Sequence, residues 1–110
     1  MPIVRKSGKV KIHGEMEPCI VYLGYDASTV KAKTERSGRS NVWCVRASNG
    51  GSTWHAIGYH GTASKRVPYS ATAEANARAQ VADVVSGKKV VVCHDGHFMA
   101  FDAADVTVEG

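Results

Sequence analysis

Apolar and polar residues alternate with a period of two over several stretches of the chain, the spacing of half-buried β-strands. In residues 8–13, Val10 and Ile12 alternate with Lys9, Lys11 and His13, which predicts a first strand. Residues 14–18 supply Gly, Glu and Pro as a break, and the richer apolar run over 19–25 reads as a central strand. Over residues 28–35, Val30 and Ala32 alternate with Lys31 and Lys33. Outward-pointing charge is how sheets blunt an unpaired edge, so this segment is expected to be an edge strand or an extended arm.

After a glycine turn at residues 37–40, the runs 41–47 and 53–59 flank Ser48-Asn49-Gly50-Gly51. An Asn-Gly step between aromatic and β-branched runs is a strong hairpin signal. A two-residue loop there pairs Val45 with Trp54, Cys44 with His55, Trp43 with Ala56 and Val42 with Ile57, placing Trp43, Val45 and Trp54 on one face. A longer loop that includes Gly51 shifts this register. Residues 61–68 read as a loop. A helix follows over about 70–86, with Ser70 or Thr72 as N-cap, Glu74 and Arg78 four apart, and Gly87 where a left-handed C-terminal residue belongs. The alternating alanines at 71, 73, 75, 77 and 79 would also suit a strand, but alanine is the best helix former and a poor strand former. Its apolar stripe is Ala73, Ala77, Val81, Val84 and Val85.

Residues 89–93 and 97–101 surround Asp95-Gly96, a second hairpin signal, which pairs His94 with His97, Cys93 with Phe98, Val92 with Met99 and Val91 with Ala100. Both faces of this hairpin are largely apolar, so each needs a cover. Residues 105–109 form a last short strand. The expected fold is α+β: a strongly bent, mostly antiparallel sheet of about six or seven strands with one helix packed on it. Its core should be dominated by Trp43, Val45, Trp54, Ile57, Val81, Val85, Val92 and Phe98.

At 110 residues, 44% hydrophobic and 22% charged, the chain has the size and composition of a single globular domain, residues 1–110. No apolar run approaches the roughly 20 residues of a membrane-spanning helix, and the N-terminus lacks the apolar core of a secretory signal, so a cytoplasmic location and no membrane partner are expected. An odd cysteine count fits small buried thiols better than a disulfide framework. The formal charge of +4 is unevenly distributed. Residues 1–50 carry +5 and residues 51–110 carry −1, which directs attention to an anionic partner for the N-terminal half.

Three groups of residues are candidates for chemistry. The first is Lys9, Lys11, Lys31, Lys33, Arg36, Arg39 and Arg46, with the hydroxyls of Thr34, Ser37 and Ser40, a set suited to phosphates; Tyr22, Tyr25 and Tyr59 are candidate stacking rings. His94 and His97 form the second, facing each other across a tight turn as a candidate metal pair, although a metal needs about three or four ligands and the hairpin supplies no third. The third is Tyr59-His60-Gly61-Thr62, which resembles the nicotinamide-binding motif of the diphtheria-toxin-like and PARP-type ADP-ribosyltransferases. That resemblance implies a ribose-holding role for His60, backbone approach at Gly61 and Thr62, and a stacking role for Tyr69. In that family a helix separates the histidine from the tyrosine, whereas only eight residues lie between His60 and Tyr69.

No P-loop, dinucleotide fingerprint or catalytic-triad signature is present, and no cofactor is expected. The sequence therefore points to a small non-catalytic binding module whose basic half engages nucleic acid, a nucleic-acid-containing complex or an anionic protein surface, with a homodimer as a further assembly. A protein-binding inhibitor or adaptor, of the kind found among compact phage and mobile-element proteins, is the alternative. A nucleotide- or NAD-binding protein is the second.

Overall fold

The computed structural model describes residues 3–58 and 67–109, and it is α+β with antiparallel strand pairing throughout its named strands. Instead of one bent sheet, the strands form two sheets.

The larger sheet contains β1 (Val4–Ile12), β2 (Glu15–Leu23), β7 (Lys89–His94), β8 (His97–Asp102) and β9 (Val106–Val108), in the order β8-β7-β2-β1-β9. A two-residue turn at His13-Gly14 joins β1 to β2, both residues holding left-handed φ angles of 51° and 83°. The break expected over 14–18 is therefore mostly strand. Pro18 is tolerated because Lys9 and Pro18 form a non-hydrogen-bonded pair. Its missing N–H faces the side where β7 would lie, and β7 pairs with β2 only at Ile20–Tyr22. The Asp95-Gly96 hairpin has the expected register, His94 opposite His97 through Val91 opposite Ala100.

β8 and β9 lie at opposite edges of this sheet yet are joined only by a 3₁₀ turn at Ala103–Asp105. Four strand spacings in a flat sheet would separate them by about 19 Å, whereas the four residues from Asp102 to Val106 reach at most about 14 Å. The sheet consequently curls toward closure. Val10, Cys19, Val21 and Val92 are buried together on one of its faces, ringed by Ile12, Leu23, Val90, Phe101 and Val106.

The smaller sheet comprises β3 (Val30–Ser37), β4 (Ser40–Ser48), β5 (Trp54–Ile57) and the two-residue β6 (Val67–Pro68). β4 is central, with β3 on one side and both β5 and β6 on the other. β3 is the expected edge strand, and Gly38-Arg39 is its turn. The Asn49-Gly50 hairpin uses the longer loop. Ser48 pairs with Trp54, Ala47 with His55, Arg46 with Ala56 and Val45 with Ile57. Bonds from outside and within the loop hold it open: the Tyr25 hydroxyl donates to Asn49 Oδ1, and Ser48 Oγ donates to the Gly51 carbonyl at 2.9 Å. This register places Trp54 on the face opposite Trp43 and Val45, correcting its expected place in the core.

α1 (Ala71–Ser86) starts at Ser70, whose hydroxyl accepts from the Ala73 N–H at 3.0 Å, and ends at left-handed Gly87. Ala73, Ala77 and Val84 pack on Tyr25, Val30, Trp43, Val45, Ala47 and Ile57, with Val91 and Ala100 arriving from the larger sheet. Val85, expected inside, is 41% exposed. A fully buried glutamine on α1 holds the sheets in register: Gln80 Nε2 donates at 2.7 Å to the Gly58 carbonyl, while the Gly58 N–H donates to the Phe98 carbonyl at 2.8 Å. Cys19 and Cys44 are buried and Cys93 is half-buried, with no disulfide among them. Among the described residues no helix is long and apolar enough to cross a membrane.

Candidate functional site

The β3–β4 hairpin gathers five of the seven basic residues singled out from the sequence. Alternation along β3 sends Lys31, Lys33 and Glu35 to the sheet's outer face and Ala32, Thr34 and Arg36 to the face shared with α1. Lys31 Nζ lies 4.5 Å from the centre of the Trp54 ring, a cation–π contact. Arg46, opposite Lys31 on β4, grips Glu35 with two hydrogen bonds of 2.7 and 3.0 Å and donates a third to the Trp54 carbonyl at 3.2 Å. The Arg46 guanidinium draws the Glu35 carboxyl from its ordinary 4.5 down to about 2. Arg46 thus neutralises the acid of this surface. Arg36 donates to the Gly38 carbonyl at 3.2 Å, and Arg39 occupies the turn. Lys31, Lys33, Arg36 and Arg39 are all exposed, as are the hydroxyl residues Thr34, Ser37 and Ser40.

Lys9 and Lys11 belong to the other sheet, on the outward face of β1, and are not part of this hairpin. The candidate stacking rings are elsewhere too. Tyr22 packs on Phe98 with ring centres 5.8 Å apart, and Tyr25 is buried, its hydroxyl bonded to Asn49 and its pKa raised by that burial. The ring that does face the basic surface is half-buried Trp54, which the two-residue loop had assigned to the core.

Tyr59, His60 and Thr62 lie outside the described residues. Tyr69 is 58% exposed and stacks on Trp43 at 6.1 Å, and Arg78 stands 5.4 Å from the same indole, whose buried Nε1 has no hydrogen-bond partner among the described residues. His94 and His97 face each other across their turn, and among the described residues no cluster of three or more His, Cys, Asp or Glu side chains could hold a metal. Burial, together with nearby Cys93 and Glu109, pushes the Cys19 thiol up, away from thiolate chemistry.

Two features adjoin the hairpin, an open strand edge that the sequence led one to expect and a groove that it did not show. The outer side of β3 takes no strand among the described residues. The Ser48 N–H donates to the Thr29 carbonyl at 2.8 Å, and Ser37 and Ser40 close a two-residue turn, so the odd-numbered residues of β3 direct their backbone groups at β4. Ala32, Thr34 and Arg36 direct theirs away from the sheet. Beside them runs an open groove of about 290 Å³ between β3 and α1, lined by Ala32, Arg78, Val81, Ala82 and Val85. The combination is a basic edge whose outward main-chain donors and acceptors pair with no strand among the described residues, next to an apolar trough.

Comparison of the chain with models of known protein families, with characterised proteins and with solved structures returned no match.

Proposed function

We propose that the chain is a small non-catalytic binding module whose β3–β4 hairpin engages an anionic partner. The observation that carries this reading is the exposed set Lys31, Lys33, Arg36 and Arg39 on one edge strand and its turn, where the accompanying acid, Glu35, is neutralised by Arg46. A phosphate backbone meets the charge requirement, and Thr34, Ser37 and Ser40 add hydroxyl donors. Base stacking has less to work with, because among the described residues Trp54 is the ring on this face and Lys31 lies over it. An acidic protein surface uses the charges, the open edge and the groove together, which favours a protein partner over nucleic acid.

The test is reversal of Lys31, Lys33, Arg36 and Arg39 to Glu, with retention measured on heparin and on a DNA column against salt. The parent chain should be retained and elute with added salt. The fourfold variant should pass through at low salt, with a decrease in salt dependence of about 0.9 per lost phosphate contact if duplex DNA is the ligand. Equal retention of the two proteins would sink the reading.

A further inference from the structure

We infer that the outer edge of β3 accepts an extended acidic segment of a partner protein as an added strand, with one apolar side chain of that segment seated in the groove between β3 and α1. This rests on the hairpin being the anionic-partner surface.

Three observations converge on it. Ala32, Thr34 and Arg36 offer three N–H and three C=O groups toward the open side, the regular spacing that an incoming strand satisfies. Strand alternation then decides the side chains. A partner residue opposite Ala32 points to the same face as Ala32, where the small methyl leaves room and Val81, Ala82 and the exposed Val85 wall the groove. Its two neighbours face the other way, beside Lys31 and Lys33. Opposite charges directly across a strand pair are stabilising and like charges are not, so the segment that fits reads acidic, apolar, acidic. A second copy of β3 would instead bring basic edge against basic edge.

The probe is a short labelled peptide in which Asp and Val alternate. Its control has the same composition with all Asp first and all Val after. Fluorescence polarisation should show the alternating peptide binding at least about tenfold more tightly. On binding, hydrogen exchange should slow at the amides of Ala32, Thr34 and Arg36, whereas those of Lys31 and Lys33 are protected beforehand. Thr34→Pro removes one outward N–H without touching the β4 ladder or any charge. It should weaken the alternating peptide by about tenfold and leave heparin retention unchanged. If circular dichroism shows that Thr34→Pro does not fold, N-methylation of the peptide's Val amides replaces it, with the same expected loss.

Equal binding of the alternating and block peptides, or of the parent chain and Thr34→Pro, overturns strand addition while heparin retention leaves the anionic-partner reading standing. Tighter binding of single-stranded DNA than of the alternating peptide overturns it in favour of nucleic acid. Slow exchange at Ala32, Thr34 and Arg36 in a dimer without peptide overturns it in favour of a second copy. Loss of both heparin and peptide binding removes both readings.

Discussion

Glu35 and Arg46 show how a residue's charge can be plain in the sequence and its role hidden. Arg46 counts as one more cation until the β3–β4 register sets it beside Glu35, with side-chain exposures of 22% and 17%. The pair then stabilises the hairpin instead of offering a charge to a partner. Because the Glu35 carboxyl is held at about 2 in the folded protein against an ordinary 4.5, the unfolded chain binds more protons between those values. The pair's contribution is complete above pH 4.5 or so and is lost as pH falls toward 2. Glu35→Gln should therefore cost about 1 kcal/mol at neutral pH. It should also flatten the acid side of the stability curve, as urea midpoints measured across that pH range would show. An unchanged acid slope would mean that the ion pair contributes nothing. Gln80 carries the same lesson inside the molecule, where a polar residue on an alanine-rich helix gives no sign that it will be fully buried against the Gly58 carbonyl.

Helix α1 was legible at both ends because its signals are local. Ser70 and Gly87 act through bonds to residues three positions away. Ser70→Ala should cost about 1 kcal/mol and Ser70→Asp should restore most of it, as read from thermal or urea unfolding; equal stability of the alanine variant would show that the cap bond is dispensable. The two hairpins divide for the same physical reason. Asp95 and Gly96 both take left-handed conformations, with φ of 50° and 77°, so the dipeptide sets its own turn and the register follows. Asn49-Gly50 carries an equally strong local signal, but Tyr25, distant in sequence, holds the Asn49 side chain and Ser48 holds Gly51. The loop opens, the pairing slips, and Trp54 turns to the outer face beside Lys31. At the site, the lysines of β3 and its edge position could be read from alternation. The groove could not, because it exists only where Ala32 meets Val81 and Val85 of a helix about fifty residues further along the chain.

Closure of the larger sheet depends on a position that reads as an ordinary glycine at the start of a strand. A Cβ on Gly8 would lie 2.6 Å from Val21 Cγ2 and closer still to the Thr107 carbonyl oxygen, so β9 reaches β1 only because no side chain stands between them. Gly8→Ala should destabilise the protein by roughly 1–3 kcal/mol through overpacking, with the first loss of amide protection at Val106–Val108 in hydrogen exchange. A stable variant with protected β9 amides would refute this account of the closure. What the sequence determined by itself is what short-range physics controls: the α+β class, strand alternation, the capped helix, the Asp95-Gly96 turn and the basic edge strand. Tertiary structure alone decided the division into two sheets, the Asn49-Gly50 register, the pairing of Glu35 with Arg46 and the groove beside β3, because each depends on contacts between segments whose separation along the chain leaves no periodic trace in it.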